Sequence, residues 1–171
     1  MTSWRVVGVL MMSVMGSALA QETGAIKLPP PETAGGMPLM QALKARHSTR
    51  EFSRQPLPPQ VLSNLLWAAN GVNRPDSGKR TAPSARDWRE IDVIVTTAEG
   101  AYRYDPPSHS LIRVVAGDIR QLTGSQEFVA GVPVNLVYVA NLDRMSEASA
   151  EDKALYSAAD AGFIAQNVYL Y

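Results

Sequence analysis

The sequence contains no cysteine and only two histidines, and these shortages exclude several kinds of chemistry. Without cysteine there is no disulfide, no thiol nucleophile and no Cys-ligated metal. His47 and His109 lie far apart in the sequence, and neither belongs to an H-E-x-x-H or similar ligand pattern. We therefore expect no metal site.

Charge of one sign is not in excess either, since Lys plus Arg and Asp plus Glu both number 16. A balanced chain lacks the field that draws basic proteins to nucleic acids or anionic membranes, so we expect no nucleic-acid partner. Motifs of serine hydrolases (G-x-S-x-G) and of nucleotide-binding loops are missing. What the chain does have is 171 residues, 46% of them apolar, enough for one buried core.

The first twenty residues have the layout of a secretory signal. Arg5 is their only charge, an uncharged apolar run follows it, and Ala18-Leu19-Ala20 offers a cleavage site before Gln21. A membrane anchor is the alternative, but a spanning helix needs about 20 apolar residues and this run is shorter. We predict a signal peptide at 1–20, an exported (periplasmic or secreted) protein, and no stable membrane association after cleavage.

The remaining chain divides into a lead-in and one domain. Residues 21–36 are rich in Pro and Gly and predict a flexible linker, which leaves 37–171 as the domain. A short helix is predicted from Met37-Pro38, and a second helix ends near Asn70. Residues 72–90 are predicted to form a long loop that contacts a ligand.

The second half of the chain predicts strands and then a long helix. The predicted strands are Ile91–Thr97, 101–104, 110–115 and 134–140, the last as a buried central strand. Helical pieces are expected from Ile119 and around 126–130. A helix from about Ala148 is still in its apolar pattern at Tyr171, so we expect the chain to be a fragment of a longer protein. His109 is predicted to be a turn residue that pairs with the Tyr104-Asp105 hairpin.

The segment RHSTREF, residues 46–52, concentrates groups that suit an anion. Arg46, Ser48 and Arg50 bring two guanidiniums and a hydroxyl together just after a predicted helix. Guanidiniums donate forked hydrogen bonds to phosphate, and a hydroxyl adds a short one. Composition alone leaves a solvated basic corner as an equal alternative.

Four segments, in order and in register, resemble the nitroreductase superfamily. LKARHSTREF (43–52) resembles its N-terminal flavin motif, and RTAPSA (80–85) its Pro-Ser-small stretch. AYRYDPPSHSL (101–111) resembles a hairpin of the branch related to SagB-type dehydrogenases, and DAGFIAQNVYL (160–170) the family's long interface helix. The resemblance covers 43–171. It implies an α+β fold with a mostly antiparallel central sheet surrounded by helices, which dimerises through long helices.

The resemblance also implies roles for the basic segment in binding FMN. Arg46 and Ser48 would hold the phosphate and ribityl chain, and His47 would contribute through its backbone. Arg50 would lie near the N1/O2 edge of the flavin ring, where a fixed cation stabilises the negative charge of the reduced ring.

The other implied flavin contacts come from farther along the chain. Pro83, Ser84 and Ala85 would reach the flavin of the partner subunit, so the sites would be shared in a homodimer. Gln126 would face the pyrimidine edge of the ring. The sequence departs from the family after Ala85, where Arg86-Asp87-Trp88 stands in place of small or amide residues.

The predicted function is an exported FMN-dependent oxidoreductase. It would transfer a hydride or two electrons from a reductant such as NAD(P)H to a small organic acceptor, with no side chain acting as a general acid or base. Nicotinamide donors are cytoplasmic, so export leaves the donor open. Two alternatives are a non-catalytic protein that binds or sequesters flavin, and a scaffold of the same fold without a cofactor.

Overall fold

A five-stranded antiparallel sheet is the centre of the computed structural model, which describes residues 24–171. Its strands are β1 (Ile26–Lys27), β4 (Ile91–Thr97), β5 (Gly100–Asp105), β6 (Ser110–Ala116) and β7 (Asn135–Ala140). They are ordered β1-β6-β5-β4-β7. A separate hairpin pairs β2 (Val72–Arg74) with β3 (Lys79–Arg80). The predicted signal peptide at 1–20 lies outside the described residues.

Three α-helices accompany the sheet, namely α1 (Leu39–Ala45), α2 (Pro59–Asn70) and α3 (Ala150–Leu170). Proline suits the start of α2, because the first helical N–H groups have no partner within the helix. At the start of α3 the Ser149 hydroxyl accepts a hydrogen bond of 3.0 Å from the amide of Asp152. Glu151 and Asp152 in this first turn add a favourable interaction with the helix dipole.

One apolar core joins the sheet to two of the helices. Along β4 the residues Ile91, Val93 and Val95 are buried, as expected for a strand whose alternate side chains face a core. Leu66 of α2 and Ile164 of α3 belong to the same buried cluster. The predicted α+β fold with a mostly antiparallel sheet is therefore confirmed.

The strand predicted at 134–140 lies elsewhere in the sheet than expected. We predicted a buried central strand, but β7 pairs only with β4 and is an edge of the described sheet. Leu136 and Tyr138 are half-buried, and Val139 is 47% exposed. An uninterrupted apolar run shows that both strand faces can be buried, but it does not determine the order of strands.

Three other predicted segments differ in local structure from the expectation. Residues 72–90 are not one irregular loop, because they contain the β2–β3 hairpin and a 3-10 turn at Ala85–Asp87. The helices predicted from Ile119 and around 126–130 are 3-10 turns, at Arg120–Leu122 and Glu127–Ala130.

Part of the predicted flexible linker is packed against the domain. Residues 26 and 27 pair with β6, and Leu28 is 5% exposed within the core cluster. The Pro29 carbonyl accepts a hydrogen bond of 2.6 Å from the Ser63 hydroxyl. The structure thus corrects the prediction for residues 26–29, because backbone pairing and apolar burial hold them in place.

His109 lies at the centre of this attachment. Its ring nitrogens lie 2.8 Å from the Tyr104 hydroxyl and 2.7 Å from the Ser63 hydroxyl. The prediction that His109 is a turn residue pairing with the Tyr104 hairpin is confirmed. No helix among residues 24–171 is both long and apolar enough to cross a membrane.

Candidate functional site

The segment 46–52 runs along the surface from the end of α3 to the 3-10 turn at Glu127–Ala130. The Arg46 guanidinium carbon lies 6.0 Å from the centre of the Tyr169 ring, near the end of α3. At the other end of the segment, the rings of Phe52 and Phe128 lie 5.4 Å apart. The two ends of the segment are thus attached to two separate elements, with exposed polar residues between them.

Three side chains predicted to bind FMN have no hydrogen-bonding or ionic partner in the described part of the chain. Within residues 24–171, Arg46, Ser48 and Arg50 form no side-chain hydrogen bond and no ion pair. His47 Nδ1 lies 2.8 Å from the Ala45 carbonyl, so its ring is turned toward the chain itself. Two guanidiniums and a hydroxyl are therefore free to receive an anion.

A cavity of about 570 Å³ adjoins this segment. Phe52, Phe128 and Tyr169, which anchor the segment, also line the cavity, and Gln126 reaches it too. Apolar side chains from α2, α3 and β7 form the rest of the wall, including Leu65, Val168 and Leu136. The structure thus brings Gln126 and the Phe52 end of the segment to one largely apolar cavity, whereas Arg46, Ser48 and Arg50 are not among the residues that line it.

The cavity beside the basic segment is not lined by the other predicted flavin contacts, Pro83, Ser84 and Ala85. Pro83 and Ser84 line a second cavity of about 410 Å³. The amide of Ala85 donates a hydrogen bond of 2.9 Å to Asp160 Oδ2 on α3. Asp160 precedes Tyr169 by nine positions, which is about 13 Å along a helix. One chain therefore does not bring the two predicted halves of the site together.

The segment following Ala85 has an unusual backbone. Arg86, Asp87 and Arg89 have φ of 50°, 57° and 53°, in the left-handed region that non-glycine residues seldom adopt. Arg89 pairs with Asp87 at 2.7 Å, and this hydrogen bond lowers the pKa of Asp87. The Ser84 hydroxyl accepts a hydrogen bond of 2.8 Å from the amide of Arg89. The departure from the family pattern thus coincides with a strained, internally bonded turn.

Sequence reasoning missed the buried polar floor of the second cavity. Asn70, Glu90 and Asp160 line it and are only 5%, 0% and 3% exposed. Burial raises the pKa of Glu90, and the nearby Asp160 carboxyl raises it further. A signal was available in α3, because Asp160 interrupts a helix face that otherwise carries apolar residues such as Ile164.

Two buried atoms beside this floor lack hydrogen-bond partners among residues 24–171. They are Oε1 of Glu90 and Nε of Arg80. Burial also lowers the pKa of Arg80, with the charges of Arg89 and Arg144 adding to the effect. In the same described range, no group of three or more His, Asp or Glu side chains is arranged to hold a metal ion.

Comparison with known proteins gives one consistent result. The sequence model of the nitroreductase family matches residues 43–171. A curated relative from Methanocaldococcus jannaschii, named as a putative nitroreductase, is 32% identical over 142 residues. That match covers 77% of this chain and 71% of the relative.

Solved structures agree with the sequence comparison. A crystal structure of a putative nitroreductase from Ralstonia eutropha JMP134 superposes with a TM-score of 0.82 at 49% identity. The superposition covers 97% of this chain and 77% of the Ralstonia eutropha chain. The Escherichia coli microcin synthetase McbBCD complex, with truncated pro-MccB17 bound, shares the fold at a TM-score of 0.60 and 17% identity. This superposition covers 97% of this chain and 68% of the other chain. The sequence match over most of the chain shows that the protein belongs to the nitroreductase family.

Proposed function

We propose that the protein is an FMN-dependent oxidoreductase that passes a hydride or two electrons from a reductant such as NAD(P)H to a small organic acceptor. The observation that carries the proposal is that Arg46, Ser48 and Arg50 have no hydrogen-bond or ion-pair partner within residues 24–171, in a segment whose last residue, Phe52, lines an apolar cavity. FMN combines an apolar ring system with an anionic phosphate, which is what this pairing suits. The cavity volume of about 570 Å³ is within the range of about 300–1,000 Å³ found for cofactor pockets.

Each group has a separate role in holding the cofactor. Arg46 and Ser48 bind the phosphate and ribityl chain, and Arg50 places its charge at the N1/O2 edge of the ring. Gln126, which lines the cavity, offers an amide to the pyrimidine edge. FMN itself, when bound, supplies the two-electron chemistry, while the protein binds, orients and stabilises charge.

A homodimer completes the site in this proposal. Pro83 and Ser84 line the second cavity and not the one beside Phe52, so in this proposal they and Ala85 serve the flavin of the partner. Exposed apolar surface supports such an interface, since α1 buries no residue and Leu39 and Met40 are 62% and 75% exposed. On α3, Phe163 is 48% exposed, and among residues 24–171 no neighbouring atom lies within 4 Å of where a Cβ on Gly162 would be.

The proposal also includes export, on the basis of the signal-like segment at 1–20. An exported enzyme meets little nicotinamide, so the donor is a separate question from the cofactor. Stopped-flow bleaching of the flavin with NADH and with NADPH tests the donor. Export is tested by comparing secretion of the full chain with secretion of a variant that lacks residues 1–20.

The cofactor is tested on the purified full chain. We expect a yellow protein that releases FMN on denaturation, and we expect Arg46→Ala with Arg50→Ala to lose the flavin. Lys153→Ala, on the first turns of α3 away from both cavities, is the matched control and should keep it. A colourless protein that takes up no added FMN identifies the scaffold alternative. Flavin binding without bleaching by any reductant identifies the non-catalytic alternative.

A further inference from the structure

Two carboxyl side chains line the buried floor of the second cavity, one from the residue before β4 and one from α3. Glu90 immediately precedes β4 and is 0% exposed, while Asp160 lies in the middle of α3 and is 3% exposed. Neither forms an ion pair with a cation among residues 24–171. Burying two unpaired carboxylates together is costly, so this arrangement needs a specific compensation.

Both carboxyls are attached to consecutive residues of one loop. Asp160 Oδ2 accepts the amide hydrogen of Ala85 at 2.9 Å, and Glu90 Oε2 lies 3.4 Å from the donating hydroxyl of Ser84. The same Ser84 oxygen accepts the amide hydrogen of Arg89 at 2.8 Å. These bonds hold the loop at its start, just before the left-handed residues Arg86 and Asp87.

The strained turn makes this attachment consequential. Left-handed backbone at a non-glycine residue costs on the order of 1–3 kcal/mol and persists only where its surroundings hold it. The loop is therefore a low-stability element whose conformation depends on the two carboxyls. Ser84 and Ala85 are also residues assigned above to the flavin of the partner.

The protonation state follows from the hydrogen bonds. Glu90 Oε1 is buried and accepts no hydrogen bond within the described chain, so nothing there stabilises a negative charge on this oxygen. Glu90 is therefore the member that holds the proton. The charged groups around the cavity are those of Arg74, Lys79, Arg80, Asp87 and Arg89.

We propose that Glu90 and Asp160 are positioning residues of the flavin site, which fix Ser84 and Ala85 against the flavin of the partner subunit through their hydrogen bonds to this loop. The inference rests on the proposed flavin site. On ionisation of Glu90 two buried negative charges repel each other, and release of the loop relieves the repulsion. Burial already raises the pKa of Glu90, so this occurs as the pH rises above the ordinary carboxyl range.

The first test needs no flavin. Hydrogen exchange of the Ala85 amide is followed in the apo protein from pH 5.5 to pH 9 and expressed as a protection factor. In the wild type we expect the protection factor to fall by about tenfold over this range, because the loop loses about one charge-assisted hydrogen bond. In Glu90→Gln, whose amide imitates the protonated carboxyl, protection should stay constant. Asp160→Asn, which removes the opposing charge and keeps an acceptor oxygen, should also lose the pH dependence.

Glu147→Gln is the matched control, because Glu147 is exposed and lies outside both cavities. It should follow the wild type. If Ala85 protection in Glu90→Gln and Asp160→Asn depends on pH as it does in the wild type, the carboxyl pair does not hold the loop and the inference is overturned. Using two isosteric variants keeps the test decisive should one of them fold poorly.

The second test measures FMN affinity over the same pH range. Wild-type affinity should weaken by about tenfold relative to Glu90→Gln as the pH rises. The FMN phosphate itself titrates near pH 6, so the comparison between the two proteins isolates the side chain. If FMN affinity depends on pH equally in both proteins, Glu90 has no positioning role, but the proposed flavin site is not contradicted. Absence of FMN binding at every pH instead removes the proposed function, while Ala85 exchange still reports on the pair.

Discussion

The Tyr104 hydroxyl lies 2.8 Å from Nδ1 of His109, while Nε2 lies 3.1 Å from the Pro29 carbonyl, which can only accept and so favours the proton on Nε2. Nε2 lies 2.7 Å from the Ser63 hydroxyl, which donates in turn to the Pro29 carbonyl. All these groups are satisfied when Tyr104 donates to Nδ1 and Nε2–H donates to Ser63. The neutral imidazole thus joins the β5–β6 turn, α2 and the N-terminal segment.

Acidification should destabilise the protein through His109. Burial lowers the pKa of His109 below its ordinary value of 6.5, so the unfolded chain binds the proton more readily than the folded one. The contribution is complete above about pH 6.5 and is lost as the pH falls through the lowered value. We expect the free energy of unfolding, from urea denaturation, to fall between pH 7.5 and pH 5.

The matched variants for this prediction are at the two histidines. His109→Asn, in which asparagine tolerates the left-handed φ of 48°, should cost about 1–3 kcal/mol at pH 7.5, because Ser63 and Tyr104 lose their partner. The decrease in the free energy of unfolding on acidification should also be smaller in this variant than in the wild type. His47→Asn, at an exposed position, should change neither value. An unchanged acid slope in His109→Asn would show that other groups cause it.

Gly100 should not accept a side chain. It begins β5 with a φ of 155°, and a Cβ atom there would lie 2.4 Å from the carbonyl oxygen of Val115 on β6. Because backbone must move to relieve that contact, Gly100→Ala should destabilise the protein by about 1–3 kcal/mol in thermal or urea unfolding. Gly131→Ala is the control, since its Cβ would have ordinary contacts. Equal stabilities of the two variants would contradict the close approach of β5 and β6.

Local patterns predicted β4, β5 and β6 well because β4 is rich in β-branched residues and clear turn signals separate the three strands. They did not predict the position of β7, since its apolar run describes burial and the sheet order depends on pairing with a distant strand. The RHSTREF segment was identifiable because its residues are contiguous. Glu90 and Asp160 were not, because they are far apart in sequence and only the packing of α3 beside β4 brings them together.

The exposed apolar face of α1 provides a test of dimerisation. Met40 is 75% exposed, and Met40→Glu would place a charge in the proposed interface. We expect light scattering after gel filtration to shift from dimer toward monomer, with loss of bound FMN, because the partner's Ser84 and Ala85 no longer reach it. Leu122→Glu is a control at an apolar residue of similar exposure, 76%, outside α1 and α3. If both variants remain dimeric with flavin, α1 is not part of the interface.

Riboflavin, which lacks the phosphate, separates the roles of the two arginines. If Arg46 and Ser48 bind the phosphate, the wild type should prefer FMN over riboflavin by about 10–100-fold, since hydrogen bonds to charged groups contribute about 1.5–3 kcal/mol. Arg46→Ala should lose most of that preference. Arg50→Ala should weaken both ligands to the same extent, because its proposed partner is the ring that they share. Fluorescence titration of the apo variants measures all four affinities. If Arg50→Ala loses the preference for FMN and Arg46→Ala keeps it, the two assignments are reversed. Phosphate recognition would then belong to Arg50.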